Sequence, residues 1–174
     1  MKSNKFYRLG RGDESMKEKE KFFEEVFDKY SSMVYRLAFS RTNSRYDADD
    51  ILQTVFLRLV KSNTDFTDEE HIKAWLIRVT LNTSKNLLSS AFRRLTLPLE
   101  DTLASEMKER SEVYYAVMKL PVKYRTVVHL FYFEGYNVAE IAELLDTKEA
   151  TVKTRLKRSR EKLSLQLKGE DFDV

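Results

Sequence analysis

The segment from Tyr136 to Arg158 constrains the fold most, because it holds two helical patterns separated by a two-residue break. Asn137 can cap the first helix, and Glu140 three residues later completes a capping box. The apolar face of this helix consists of Val138, Ile141, Ala142 and Leu145. Asp146-Thr147 interrupts the pattern, and we expect Thr147 to cap a second helix. The segment therefore predicts two short helices joined by a tight turn.

The second of these helices combines an apolar inner stripe with a basic outer surface. The stripe consists of Val152, Leu156, Ser159 and Leu163. From Lys148 to Lys162, seven residues are basic and two are acidic. A basic helix docked across a short turn is typical of helix-turn-helix proteins that read the DNA major groove. A merely solvated basic face is the alternative, and the capped helix and tight turn favour DNA.

Helical geometry assigns roles along this basic helix. If Val152 faces inward and each residue turns by about 100°, Ala150, Thr154 and Lys157 point outward. Early positions of such a helix reach base edges, whereas later cations usually meet phosphates. The residues expected nearest the bases are Lys148, Glu149, Ala150, Lys153 and Thr154. The residues expected to contact the DNA backbone are Thr151, Arg155, Lys157 and Arg158.

Composition limits the fold class and the chemistry. Four Gly and two Pro among 174 residues favour an all-α protein, because sheet-rich folds need more turn residues. Cys is absent, and the two histidines, His71 and His129, lie far apart, so we expect neither a metal site nor a cofactor. No apolar run approaches the roughly 20 residues that span a bilayer. These features predict a soluble cytoplasmic protein.

Periodicity and polar stretches divide the chain into two helical domains. We expect a flexible tail over residues 1–20, a first domain over 21–95, a linker over 96–112, a second domain over 113–168 and a tail over 169–174. The linker contains Pro98 and scattered acidic residues. Met16 precedes a helix-forming Lys-Glu-Lys-Glu run, which leaves open whether translation starts there.

Three amphipathic helices are expected in the first domain. The stripe of the first consists of Phe22, Val26, Tyr30, Val34, Leu37 and Ala38. The second turns Ile51, Val55, Phe56, Leu59 and Val60 inward. A polar loop from Ser62 to about Glu70 leads into a third helix over Ile72–Leu88. In the second domain, Pro121 suits the first turn of a helix that ends at Glu134-Gly135.

The start of the second helix, Asp47-Ala48-Asp49-Asp50, is unusually acidic. The side chains of successive helix residues point about 100° apart, so neighbouring carboxylates do not converge on one metal ion. The run also lacks the spacing of a calcium loop, so metal binding is disfavoured. The carboxylates could cap the helix, or they could form a protein-binding face with Gln53 and the neighbouring apolar residues. The spacing alone leaves both interpretations open.

The third helix carries polar and cationic residues on one face. Trp75 at helical spacing from Val79 is typical of a core residue. The face consists of Arg78, Asn82, Lys85 and Asn86, and Phe66 lies in the loop before it. Cations can track a phosphate backbone, while amides and aromatic rings engage exposed bases. The helix therefore fits either a plain core element or a surface for single-stranded nucleic acid.

Taken in order, these segments resemble the sigma-70 family, specifically its small extracytoplasmic-function (ECF) members. The similarity runs from about Phe22 to Leu165. Asp47 to Phe56 resembles the family's polymerase-binding segment, and Ile72 to Asn82 resembles its promoter-melting and −10 helix. Leu120 to Ala142 resembles the start of the second domain, and Thr151 to Arg160 resembles the −35 helix. Asn86 stands where members often carry Asp, which leaves the contacts beyond Asn82 open.

The resemblance implies a non-catalytic subunit that binds core RNA polymerase and directs it to promoter DNA. The residues implied in polymerase binding are Asp47, Asp49, Asp50, Gln53, Thr54 and Phe56. Those implied in −10 recognition and melting are Asn63, Asp65, Phe66, Trp75, Arg78, Asn82, Lys85 and Asn86. The basic helix would read the −35 element, and an anti-sigma factor is implied as a further partner. No small-molecule substrate and no membrane insertion are implied.

Two other classes of protein are alternatives to this resemblance. A conventional helix-turn-helix regulator would bind duplex DNA unaided, with Phe22–Arg94 as a sensor or dimerisation bundle. That class leaves the acidic segment and the Arg78–Asn82 face unexplained. An enzyme is disfavoured, because two His, no Cys and no phosphate-binding Gly loop supply little catalytic chemistry.

Overall fold

The computed structural model describes residues 13–94 and 112–168, and every regular element within these ranges is a helix. The chain divides into two compact units, residues 1–86 and 87–174. The predicted linker over 96–112 lies outside the described residues except for Glu112, which begins a helix. The predicted tail over 169–174 lies outside them as well.

The first unit opens on a long helix, α1 (Asp13–Thr42). All six residues of its predicted stripe are buried, from Phe22 to Ala38, which confirms the expected amphipathic pattern. Our prediction of a flexible tail over residues 1–20 is wrong from Asp13 onward. Residues 17–20 are helical although exposed. Their Lys and Glu side chains have high helix propensity, which sustains the helix without burial.

A two-residue turn joins α1 to α2 (Arg45–Lys61). Asn43 occupies the left-handed region with φ 55°, and the Ser44 side chain caps α2 by accepting from the Asp47 N–H at 3.2 Å. The buried residues of α2 are Ala48, Ile51, Val55, Phe56 and Leu59. Val60, predicted to face inward, is 62% exposed. It lies about 100° from Leu59 and therefore falls outside the buried stripe.

The third helix, α3 (Glu69–Arg94), begins three residues earlier than predicted. Asp68 precedes it and accepts from the His71 N–H at 2.7 Å, which satisfies one of the free donors of the first turn. Leu76, Ile77 and Leu81 are buried, whereas Trp75 is only partly buried. The capped start fixes where the polar loop of residues 62–68 ends.

The second unit begins with α4 (Glu112–Lys119) and α5 (Val122–Val128), joined at Leu120-Pro121. A π-helical turn (His129–Phe133) continues α5, and Gly135 follows at φ 76°, a conformation that favours glycine. The core cluster of this unit consists of Val117, Leu120, Tyr124 and Val128, with Leu163 packed against it. The buried Arg125 guanidinium donates to the Met118 carbonyl at the end of α4.

The helix-turn-helix consists of α6 (Val138–Leu144) and α7 (Glu149–Leu167). Asn137 accepts from the Glu140 N–H at 3.0 Å and Glu140 accepts from the Asn137 N–H at 2.7 Å, so the predicted capping box is confirmed. The prediction that Thr147 caps α7 is wrong. Its N–H donates to Ala142 O at 2.9 Å in a Schellman motif with Asp146 at φ 48°. Lys148 is the N-cap residue instead.

The capping box generates a stability prediction. Asn137→Ala should lower the free energy of unfolding of the second unit by about 1 kcal/mol, because it removes the acceptor of the Glu140 N–H. Asn137→Asp is the matched control, since aspartate retains a capping oxygen. Urea denaturation followed by circular dichroism measures both variants, and equal losses would contradict a capping role.

Candidate functional site

One face of α2 remains exposed and combines carboxylates with apolar side chains. We call it the α2 stripe, and its members are Tyr46, Asp49, Asp50, Gln53, Leu57 and Val60. At about 100° per residue these six fall within an arc of about 100°. Tyr46, Leu57 and Val60 are 75%, 58% and 62% exposed. The predicted residues Asp47 and Thr54 flank the stripe and are partly buried.

Phe56 lies beside this stripe on α2, about 20° further round the helix than Asp49. It is 4% exposed and packs edge-on against Phe27, with ring centroids 4.8 Å apart, and against Phe23 at 6.0 Å. That Phe56 contacts a partner stays a prediction, and in this structure its ring packs within the first unit. Its ring packs against rings of α1, while Leu57 and Val60, which the sequence prediction missed, supply the exposed apolar surface. A helical wheel with Val55 inward would have indicated Leu57.

The loop between α2 and α3 is held by its own polar side chains. Ser62 and Thr64 hydroxyls lie 2.7 Å apart, and the Thr64 N–H donates to the Ser62 hydroxyl at 3.0 Å. At the other end, the Thr67 N–H lies 3.3 Å from His71 Nδ1. Hydrogen bonds from the His71 backbone and the Thr67 hydroxyl lower the pKa of Asp68. The loop thus keeps a defined shape, with Asn63 and Asp65 exposed on it.

Phe66 anchors this loop to the core. It is 5% exposed, and its ring lies 6.0 Å from Phe22, 5.4 Å from His71 and 5.8 Å from Trp75 between centroids. That Phe66 engages bases stays a prediction, and in this structure its ring packs within the first unit. The ring positions the loop beside Trp75, which remains partly exposed.

The outer face of α3 gathers the other predicted residues. Arg78, Asn82 and Lys85 are exposed within an arc of about 60°, and Asn86 lies beside them. Trp75 borders this α3 face at the loop end. Lys29 of α1 pairs with Glu69, and Arg41 of α1 donates to the Ser84 hydroxyl on α3. These two contacts fix α3 on α1 and leave its polar face outward.

The basic helix α7 presents the face that its sequence predicts. Val152, Leu156 and Ser159 are buried, whereas Ala150, Thr154 and Lys157 are exposed. The other predicted residues are either exposed (Lys148, Glu149, Lys153 and Arg158) or partly buried (Thr151 and Arg155).

Local pairs within α7 modify this surface in ways that the charge count does not indicate. Lys153 lies 3.4 Å from Glu149 and Lys157 lies 3.9 Å from Glu161, each between charged atoms four residues apart. The Thr154 hydroxyl donates to the Ala150 carbonyl at 2.8 Å. The Thr154 hydroxyl proton is therefore already used within the helix.

A groove of about 360 Å³ runs between α7 and the start of α5. The residues that line it are Lys123, Tyr124, Ala150, Thr151, Thr154, Arg155 and Arg158. A hydrogen bond from Arg158, together with the charges of Lys123 and Lys162, lowers the pKa of the Tyr124 hydroxyl. The sequence prediction missed Lys123 and Tyr124, because only the packing of α5 on α7 brings them to the basic helix.

The described residues hold no group of three or more His, Cys, Asp or Glu side chains placed to bind a metal ion. Within the same ranges, none of the helices is long and apolar enough to cross a membrane. A helix-turn-helix with a cationic face, on the same chain as a helical unit with an exposed acidic and apolar stripe, defines a nucleic-acid-binding protein that also carries a second candidate interface.

Comparison with known proteins identifies the family. Residues 26–94 match sigma-70 region 2, and residues 110–163 match sigma-70 region 4. The ECF RNA polymerase sigma factor SigM of Mycobacterium tuberculosis is 31% identical over 147 residues, covering 82% of this chain and 75% of that protein. The RNA polymerase sigma factor SigV of Bacillus subtilis is 31% identical over 144 residues, covering 79% and 86%. The chain belongs to the ECF subfamily of sigma-70 factors.

A solved structure supports the fold independently. The sigma factor RpoE of Bartonella quintana, in complex with the anti-sigma factor NepR, aligns with a TM-score of 0.69 at 17% identity, covering 87% of this chain and 99% of that chain. The match to region 2 also argues against the alternative in which residues 22–94 form a sensor or dimerisation bundle.

The buried position of Phe66 generates a prediction for the loop. Phe66→Ala should destabilise the first unit by about 3–5 kcal/mol, because a buried ring is removed. Phe66→Leu should cost less than about 1.5 kcal/mol, since it keeps most of the apolar volume. Chemical denaturation measures both losses, and hydrogen exchange over residues 62–68 reports loop order. Unchanged stability in Phe66→Ala would contradict the anchoring role.

Proposed function

We propose that this chain binds core RNA polymerase through its first unit and recruits it to promoters by reading the −10 element with that unit and the −35 element with the second. The observation that carries the proposal is the presence of regions 2 and 4, in that order, on one chain. Two modest DNA contacts on one chain reinforce each other through their effective concentration. Neither unit then needs a strongly positive charge.

The α2 stripe is the surface we assign to polymerase docking. Asp49, Asp50 and Gln53 supply charged and polar groups between the exposed side chains of Tyr46, Leu57 and Val60. An interface of this kind buries apolar side chains at its centre and orients the partner by charge. A cationic, partly apolar helical surface on the polymerase is the complement that the stripe requires.

Charge reversal tests the docking assignment. The double variant Asp50→Lys and Gln53→Lys should abolish co-purification with core polymerase, because two new cations would face a cationic partner surface. The matched control is Glu24→Lys, an exposed residue of α1 outside the stripe. Circular dichroism confirms folding in each case. Undiminished co-purification of the double variant would refute the docking assignment.

The loop and the α3 face are assigned to the −10 element. Arg78 and Lys85 can contact successive phosphates of a single strand, and the Asn82 amide can bond to a base edge. Asn63 and Asp65 stand on the loop whose shape Phe66 fixes, beside the partly exposed ring of Trp75. Holding an unstacked base offsets an unpairing cost of a few kcal/mol, so melting needs a binding surface and no chemical step.

The α7 face is assigned to the −35 duplex. Lys148, Lys153 and Thr154 lie toward the N-terminal part of the helix, where such helices meet base edges. Lys153 must leave Glu149 to reach DNA. That exposed pair contributes at most about 1 kcal/mol, so its loss is readily offset by a phosphate or base contact.

Replacing cations of α7 tests this assignment. The double variant Lys153→Gln and Arg158→Gln should weaken binding of the holoenzyme to promoter duplex. It should also reduce the slope of log K against log salt by up to about two, because fewer counterions are released. Lys119→Gln, an exposed lysine of α4, is the control. A salt slope equal to that of the wild type would show that neither residue contacts the DNA.

An anti-sigma factor is a further proposed partner. The RpoE structure to which the chain is similar contains one. A regulator that covers the α2 stripe would prevent polymerase docking by occlusion. We assign no catalytic step to this chain. We expect it to act in the cytoplasm, where the polymerase acts.

A further inference from the structure

The groove between α5 and α7 has one wall that the assigned interfaces do not use. Its α7 wall contains residues already assigned to the −35 duplex, whereas its α5 wall consists of Lys123 and Tyr124. Three of the seven lining residues are cations, Lys123, Arg155 and Arg158, and none is a carboxylate. A groove with this lining favours an anion.

The polar atoms of the two walls are already organised around one hydroxyl. A hydrogen bond from Arg158 is the main cause of the lowered pKa of the Tyr124 hydroxyl, so side chains of the two walls already interact. A tyrosine hydroxyl can accept one hydrogen bond and donate another. The Lys123 ammonium lies 5.1 Å from the centroid of the Tyr124 ring. Tyr124 belongs to the core cluster and also lines the groove, so packing fixes its ring at the groove wall.

We propose that Lys123 and the Tyr124 hydroxyl, together with Arg158, form a binding site for one backbone phosphate of promoter DNA. Charge-assisted hydrogen bonds from Lys123 and Arg158 would hold the phosphate oxygens, and the Tyr124 hydroxyl would fix their orientation. The DNA interface of the second unit then extends from α7 onto α5. This inference rests on the proposed function, since it adds a contact to the −35 interface.

A phosphate here would set the register of the reading helix. The groove is also lined by Ala150 and Thr154, which we expect near the base edges. A backbone contact carried by a second helix constrains the rotation of α7 in the major groove. Phosphate contacts of this kind determine position, while base contacts determine sequence preference.

The chain offers a closely matched control. Lys119 also lies over a tyrosine ring, that of Tyr115 at 4.6 Å, in the same unit but away from the groove. Lys119→Gln therefore makes the same charge change beside a tyrosine ring, and Tyr115→Phe makes the same hydroxyl removal on an exposed ring.

The test uses the full chain assembled with core polymerase and a promoter duplex that the wild-type holoenzyme binds. Lys123→Gln should weaken binding about 3- to 10-fold and reduce the salt slope by about one, since one phosphate contact is lost. Tyr124→Phe should weaken binding about 3- to 5-fold with little change in slope, because it removes a neutral hydroxyl. Lys119→Gln and Tyr115→Phe should match the wild type.

Duplexes with a single neutral methylphosphonate identify the phosphate. At one position in the −35 region, this replacement should weaken binding by the wild type. The Lys123→Gln variant should bind that modified duplex as well as it binds the unmodified duplex. Additive losses at every position would overturn the inference, as would equal effects of Lys123→Gln and Lys119→Gln. If α7 variants weaken binding and Lys123→Gln does not, only this inference fails. If no α7 variant has an effect, the proposed function fails as well.

Discussion

Burial of one apolar stripe on each helix is the constraint on which the interfaces depend. In α2 the burial of Ile51 and Val55 leaves the α2 stripe outward, and in α7 the burial of Val152 and Leu156 leaves the cations outward. Each residue turns by about 100°, so the inner stripe fixes the position of every outer side chain. The candidate interfaces are therefore a geometric consequence of the two cores.

Local hydrogen bonds then determine where each helix begins and ends. Ser44, Asp68 and Asn137 each accept from a first-turn N–H of the helix that follows. In the helix-turn-helix, the Schellman motif ends α6 and sets the start of α7. Phe66 plays the corresponding part for the loop before α3, because its buried ring holds a polar segment in place. Order at these junctions positions both candidate DNA surfaces before a partner binds.

Periodicity in the sequence was sufficient to predict the helices and most of the core. The burial of the α1 stripe, the Asn137 capping box and the outward face of α7 all follow from spacing alone. The errors arose where tertiary packing decides. The Thr147 N–H is bonded at the end of α6, and residues 17–20 are helical without burial. The burial of Phe56 and Phe66 against rings of α1 is likewise a result of packing that spacing does not reveal. Lys123 and Tyr124 join α7 only through the packing of α5, which spacing does not reveal.

The central claim is that this chain confers promoter choice on core polymerase. Run-off transcription with core polymerase and fragmented genomic DNA, followed by mapping of RNA 5′ ends, tests it most directly. We predict start sites that appear only when the chain is added. These sites should share upstream elements about 35 and 10 base pairs before the start, because two linked units would read the two elements together. Start sites identical with and without the chain would contradict it.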